Sequence, residues 1–227
     1  MILVVPTPRA DNEPVMRVPA HLTALIGTLV FVAACTAPSA TLVSGLPNGA
    51  MLTLPRGWQM IDIATDPLAV NNPLNVGPEV LDAKVFSPDP NELAASSIVL
   101  DGSAPYGFLH VREFTQEQIA ETSIRDLRNG VIPFDKTRAK DPAVLKVIDQ
   151  TAISDQRGVG EHLTFSVRLP ATASSAGVST SVTIDQTVIM SPATNHVSVL
   201  FVACTSDCFE VFQSQIDGIV NSWRTTT

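Results

Sequence analysis

Apolar and polar positions alternate most cleanly across residues 161–169. Leu163, Phe165, Val167 and Leu169 fall on one face there, and His162, Thr164, Ser166 and Arg168 on the other. A period of two marks a strand with one buried face. Val178 to Met190 repeats the pattern with Val182, Ile184, Val188 and Met190. Val197 to Cys204 is apolar on both faces apart from Ser198, which predicts a strand sandwiched between two layers. Strands are also predicted over Val80–Phe86, Tyr106–Phe114 and Ala143–Ser154, and a pair of short ones, Met51–Leu54 and Gln59–Ile63, flanks the turn Pro55-Arg56-Gly57-Trp58. The period changes at Phe209: Phe209, Phe212, Ile216, Ile219, Val220 and Trp223 form one helical stripe, capped by Ser206 or by an Asp207-x-x-Glu210 box. A weaker stripe (Ala120, Ser123, Ile124, Leu127) predicts a half-exposed helix over Thr115–Asn129 at the rim of the sheet. The capping box Thr115-x-x-Gln118 opens it and Asn129-Gly130 stops it.

Between these elements, Pro88 and Pro90 must break the chain, and Glu92–Leu100 reads as a short helix running into a strand. Residues 64–79 carry Pro67, Pro73 and Pro78 with Asn71, Asn72 and Asn75 and form a long loop, as do residues 170–177. Gly158-Val159-Gly160 precedes a strand with no helix after it, so it is a hairpin turn rather than a phosphate cradle. Consecutive strands with short connections imply antiparallel pairing, and two helices far apart in the chain can cover opposite faces. The expected class is α+β: an α/β/α sandwich with a mostly antiparallel sheet of about six or seven strands and a C-terminal helix.

The first 34 residues do not fit this pattern. Arg17 precedes an apolar run of thirteen residues, Leu22 to Ala34, too short for a comfortable helical span and right for the core of a signal peptide. It ends Val32-Ala33-Ala34-Cys35, which resembles the lipobox of bacterial lipoproteins. That resemblance implies removal of residues 1–34 and a diacylglycerol on the Cys35 thiol. An ordinary signal peptide with an A-x-A-type cut is the alternative, as is a buried helix with an incidental Cys. Asp11 and Glu13 are unusual in such a leader, and Met16 would begin a tidier one than Met1. Residues 35–48, small and uncharged, then form a lipid-anchored tether, and residues 49–227 a single domain. Once Cys35 is lipidated, Cys204 and Cys208 are left. An even remainder outside the cytoplasm points to one disulfide, with two free thiols or half a metal site as the other readings.

Leu54-Pro55-Arg56-Gly57-Trp58 near the start of the domain, and the closing Ile216-Asp217-Gly218-Ile219-Val220-Asn221-Ser222-Trp223 after an apolar strand, resemble the PsbP-like fold. Within it they are similar to the actinobacterial lipoproteins of LpqN type. The resemblance covers roughly residues 46–224. It implies a non-enzymatic accessory or partner-binding role at a membrane surface, and it supplies no site residues.

Charge narrows the partners. Of 227 residues, 22 are acidic and 14 basic, for a formal charge of −8. Removal of the leader takes away two of each sign and leaves that balance unchanged. So negative a chain is a poor fit to nucleic acid, and its hold on a membrane must come from acyl chains. There is no GxSxG, SxxK, HExxH, Walker loop or GxGxxG, so no enzyme, metal or cofactor is expected. His110 shares a strand face with Tyr106, Phe108 and Arg112 and is a packed or surface histidine unless it lines a polar pocket. His162 reads as solvated. Glu113 and Glu161 would form a carboxylate pair only if their strands were neighbours. Trp58 either closes the core or faces a ligand. The loop holding Asn71 and Asn72 is the first choice for a partner surface, with Trp58 and His110 as further candidates. The expected function is a binding or adaptor module for envelope proteins, anchored on the extracytoplasmic face of the cell membrane. The alternative is a carrier of a lipid or small apolar ligand in a cavity between helix and sheet.

Overall fold

The structure is a computed structural model, and it describes residues 40–44, 50–63, 80–93, 100–174, 177–191 and 193–224. Cys35, Asn71 and Asn72 lie outside the described residues, as do the leader and the 64–79 loop. Nine strands are described: β1 Thr41–Val43, β2 Leu52–Leu54, β3 Gln59–Asp62, β4 Val80–Ser87, β5 Tyr106–Glu113, β6 Leu145–Asp155, β7 Gly158–Leu169, β8 Thr180–Ser191 and β9 His196–Thr205. The helices are α1 Pro90–Leu93, α2 Gln116–Glu121, α3 Ile124–Arg128, α4 Phe134–Lys140 and α5 Ser206–Ser222.

Strands β3 to β9 form one seven-stranded sheet in the order β3-β4-β5-β9-β8-β7-β6, and every neighbouring pair is antiparallel. The chain lays down β3, β4 and β5, crosses one face through α2–α4, then returns from the far edge by hairpins until β9 pairs with β5. β9 is buried along nearly its whole length, as its two apolar faces predict. One layer of core lies under α1–α4, with Phe108, Phe165, Val199 and Phe201 from the sheet meeting Leu93, Leu127 and Phe134. The other lies under α5, where Leu109, Leu200 and Val202 meet Phe209, Ile216 and Ile219. The α/β/α sandwich is therefore the observed architecture.

Four local outcomes differ from the sequence pattern. Thr41–Val43, assigned to the tether, is a strand paired with β2, with Val43 opposite Leu52 and packed against the same core cluster. The helix expected over 115–129 is two helices. The box at Thr115 opens α2 as expected, but a second box, in which Ser123 accepts from the Asp126 amide and Asp126 from the Ser123 amide, starts α3 anew. α4 was not legible, since Phe134 is its one buried residue. The cap of α5 is Thr205, whose hydroxyl accepts from the Cys208 amide; the Ser206 hydroxyl is instead spent between Thr183 and Ser181.

Two glycines are required by the geometry. Gly57 has φ +90° at the third position of the turn closed by the Trp58 amide on the Pro55 carbonyl, a backbone that an L side chain rarely adopts. Gly107 lies under the Phe86 ring, where a Cβ would come within 2.2 Å of a ring atom. Cys204 is the last residue but one of β9, and Cys208 sits in the first turn of α5. They form a disulfide with Cα atoms 6.0 Å apart, joining sheet to helix.

Candidate functional site

Trp58 does not face a ligand. It is 7% exposed, its indole N–H donates to Gln215 Oε1 at 2.7 Å, and its ring packs against Phe86 and Phe212. The turn before it aims the ring inward, and α5 supplies the acceptor that makes burial of the N–H tolerable. His110 is not a surface residue either. It is buried beside Arg112, whose Nε donates to its Nε2 at 3.4 Å, on the sheet face that also carries Phe108. Trp58 thus follows its core-closing reading and His110 its packed one, and burial leaves little of either side chain at the surface. Glu113 and Glu161 are no pair, because β9 and β8 lie between their strands.

The concentration of chemistry lies on three adjacent strands. The registers place Thr151, His162 and Thr187 on one rung across β6, β7 and β8, and Asp149, Thr164 and Asp185 on the next. All six share the sheet face on which α5 packs. His162 Nε2 is 3.0 and 3.1 Å from the two oxygens of Asp185, and Nδ1 is 3.4 Å from Asp149 Oδ2. The Thr164 hydroxyl donates to Asp185 at 3.0 Å, and that of Thr151 to Asp149 at 3.2 Å. The hydrogen bond that the ring donates to Asp185 raises the pKa of the imidazole above its ordinary value. Burial pulls the other way, and the charges of Asp185 and Asp149 add to the rise. Asp217 on α5 is pushed up by burial and by the neighbouring Asp185 charge, with His162 opposing.

α5 runs over β8 and β9 and leaves this part of β6–β8 beside it as the floor of a groove. Its acidic end, about 330 Å³, is lined by Asp149, Asp185, Glu210 and Asp217 with Thr164, Thr183, Ser206 and Gln213. The other end, about 570 Å³, is lined by Thr151, Asp155, Arg157, Thr187, Asn221 and Arg224. His162 lines both. The Thr187 hydroxyl is buried there with no partner among the described residues. Such an arrangement offers a charged donor, carboxylate acceptors and hydroxyls. The described partners of His162 are both carboxylates, and the nearest hydroxyl bonded into the cluster, that of Thr164, donates to Asp185. No activated nucleophile is assembled among the described residues.

A second concavity lies on the opposite face, about 690 Å³ between α4 and the ends of β6 and β7. It is lined by Leu100, Ile132, Val144, Val167 and Leu169, with Lys136, Lys140 and Arg168 also present. Nearby, a polar network ties the short helices to the sheet. Gln150 donates to Glu161 at 2.8 Å, Arg128 lies 3.5 Å from Glu161 and 3.4 Å from Asp135, and Gln186 donates to the Arg128 carbonyl.

The groove was not anticipated. The signal lay in a repeated spacing: Asp149-Gln150-Thr151, His162-Leu163-Thr164 and Asp185-Gln186-Thr187 each put two polar groups on one strand face. What could not be read was that the three strands are neighbours in matching register.

No family model matches the chain, and no curated protein does. Its structure is similar to the solved structure of cyanobacterial PsbP from Synechocystis, at 12% identity over 88% of this chain and 99% of that one, TM-score 0.42. It is also similar to LpqN of Mycobacterium tuberculosis, a protein involved in cell envelope biogenesis, at 13% identity over 84% of this chain and 92% of that one, TM-score 0.43. A third likeness is to the Ran-binding protein Mog1p of Saccharomyces cerevisiae, at 9% identity over 83% of this chain and 96% of that one, TM-score 0.42. The types named by the sequence resemblance are thus among these structures. The likeness is one of architecture, and no site is carried over from it.

Proposed function

We propose that the chain is a non-enzymatic binding module, held by lipid on Cys35 at the extracytoplasmic face of the cell membrane, where it docks other envelope proteins. The anchor is supported by the order of charge, apolar run, small residues and Cys in Arg17 to Cys35. No helix among the described residues is long and apolar enough to cross a membrane. The observation that carries the binding role is the α5 groove: an open, polar concavity around His162 whose hydroxyls and carboxylates are placed to hold a ligand, with no hydroxyl or thiol hydrogen-bonded to the imidazole among the described residues. A second reading, carriage of a lipid or small apolar ligand, is favoured by the 690 Å³ apolar cavity. That volume is within the usual range for small-molecule sites, and its cationic rim suits an anionic head group.

One experiment addresses both. A photo-crosslinking amino acid is placed at Gln213, on the groove wall, in cells carrying the full chain. The protein is then isolated from membranes, and both its protein adducts and its organic-extractable material are identified. The module reading expects a defined envelope-protein adduct dependent on light and on that position. Only background adducts, together with a stoichiometric lipid, would replace it with the carrier reading. Neither product would count against both.

A further inference from the structure

We propose that the groove beside α5 takes an extended polypeptide segment of the partner, with a lysine or arginine at the end that lies over Asp149, Asp185 and Asp217. This rests on the binding-module reading and narrows it to one face and one ligand chemistry.

Shape is the first support. The two concavities meet at His162 and are walled by α5 from Ser206 to Asn221, roughly 22 Å of helix, enough for about six or seven residues of extended chain at about 3.3 Å each. A free amine or a small anion would fill only one end. Charge is the second. At the acidic end four carboxylates face one imidazole, and that imidazole is shared between two of them. At the other end stand Arg157 and Arg224, with Arg157 already bound to Asp155. The groove is therefore polarised, and a bound segment sets its cationic residue over Asp149, Asp185 and Asp217 beside His162, away from Arg157 and Arg224. Burial, and after it the neighbouring Asp185 charge, push the Asp217 carboxyl up, and an ammonium or guanidinium seated there would offset the second of these.

The third support is independent of charge. Thr187 is 3% exposed, and its hydroxyl lacks a partner among the described residues although it lines the groove next to His162. A buried hydroxyl left unpaired is costly. An extended backbone brings both N–H donors and C=O acceptors past that point, whereas a bare metal cation or a simple amine bound at the acidic end does not reach it.

The test uses the full chain, purified in detergent, and fluorescent octapeptides of Ser, Thr and Val. Two positions at one end are Lys in the first peptide, Gln in the second and Glu in the third. Binding is read by anisotropy. The Lys peptide is expected to bind about tenfold or more tighter than the Gln peptide, the effect of one charge-assisted contact. The Glu peptide should bind more weakly still. The double variant Asp149→Asn with Asp217→Asn should abolish the preference for Lys. Both residues are exposed, so the variant is expected to keep its fold, checked by circular dichroism. Thr187→Val should weaken the Lys and Gln peptides alike. Equal binding of all three peptides, or a Lys preference that survives the double variant, overturns the proposal. So does full competition by lysine amide at the peptide's own concentration, which would mark a small-cation site. Failure here with a persistent light-dependent adduct at position 213 would sink the ligand chemistry and leave the module standing.

Discussion

His162 is held between Asp185 and Asp149 with Asp217 facing it from α5, and this environment gives a pH signature with a definite sign. The hydrogen bond donated to Asp185 lifts the folded-state pKa above the unfolded value of about 6.5. The stabilisation is therefore complete below that value and is lost as pH rises through the higher folded one. Comparing urea unfolding of the wild type and His162→Gln should show the larger gap at pH 5.5 and a smaller one at pH 9. A gap that is equal at both, or larger at pH 9, contradicts the assignment. The histidine was visible in the sequence, but its partners come from two other strands, so its environment was not, and alternation alone gave it the solvated role of its neighbours. Trp58 shows the converse. Its turn was legible from Pro55 and Gly57, but whether the ring faced in or out depended on Gln215, 157 residues away.

Among elements, the long strands and α5 were legible because each carries many residues of one period. Phe209, Ile216 and Ile219 are buried as the stripe requires, and Trp223 is buried at the helix end. The short helices fared worse, since one or two apolar residues make no stripe. α3 is a case in which local capping outweighed a weak period: Ser123 was counted in the stripe, but it accepts from the Asp126 amide at 3.2 Å while Asp126 accepts from the Ser123 amide at 2.9 Å. The Ser123 hydroxyl also donates to the Asp126 carboxylate, and this bond, with the one from the Ser123 amide, holds that carboxyl below its ordinary pKa. Ser123→Ala should cost about 1 kcal/mol in urea denaturation. Its accelerated amide exchange should be confined to the α2–α3 junction; an unchanged midpoint would mean the break is set by packing of Leu127 instead. The edge strand β6 carries its own protection. A bulge between Val147 and Asp149, with Lys146 and Asp155 along the strand, interrupts the flat edge that another strand would need.

At the scale of the whole molecule, the sheet separates two unlike concavities, the polar groove beside α5 and the apolar cavity beside α4. Their separation follows from strand order: β6 and β7 extend past the cover that α5 gives to β8 and β9, while α4 sits over the ends of the same strands on the other face. The layer architecture could be read from the order of elements, because consecutive strands and two distant helical regions leave few ways to bury every apolar face. The concavities could not, because they are set by what each helix fails to cover. With a formal charge of −8, the chain is not drawn to anionic head groups, so the acyl chains proposed on Cys35 would have to supply its hold on a membrane. The decisive measurement is membrane fractionation of the wild type and Cys35→Ala, with mass spectrometry of the mature N-terminus. The expected result is a wild type that begins at Cys35, carries the added diacylglycerol mass and sediments with membranes, and a variant that is unprocessed and lacks that mass. A variant that sediments and migrates like the wild type, or a wild type whose Cys35 is unmodified, contradicts the account.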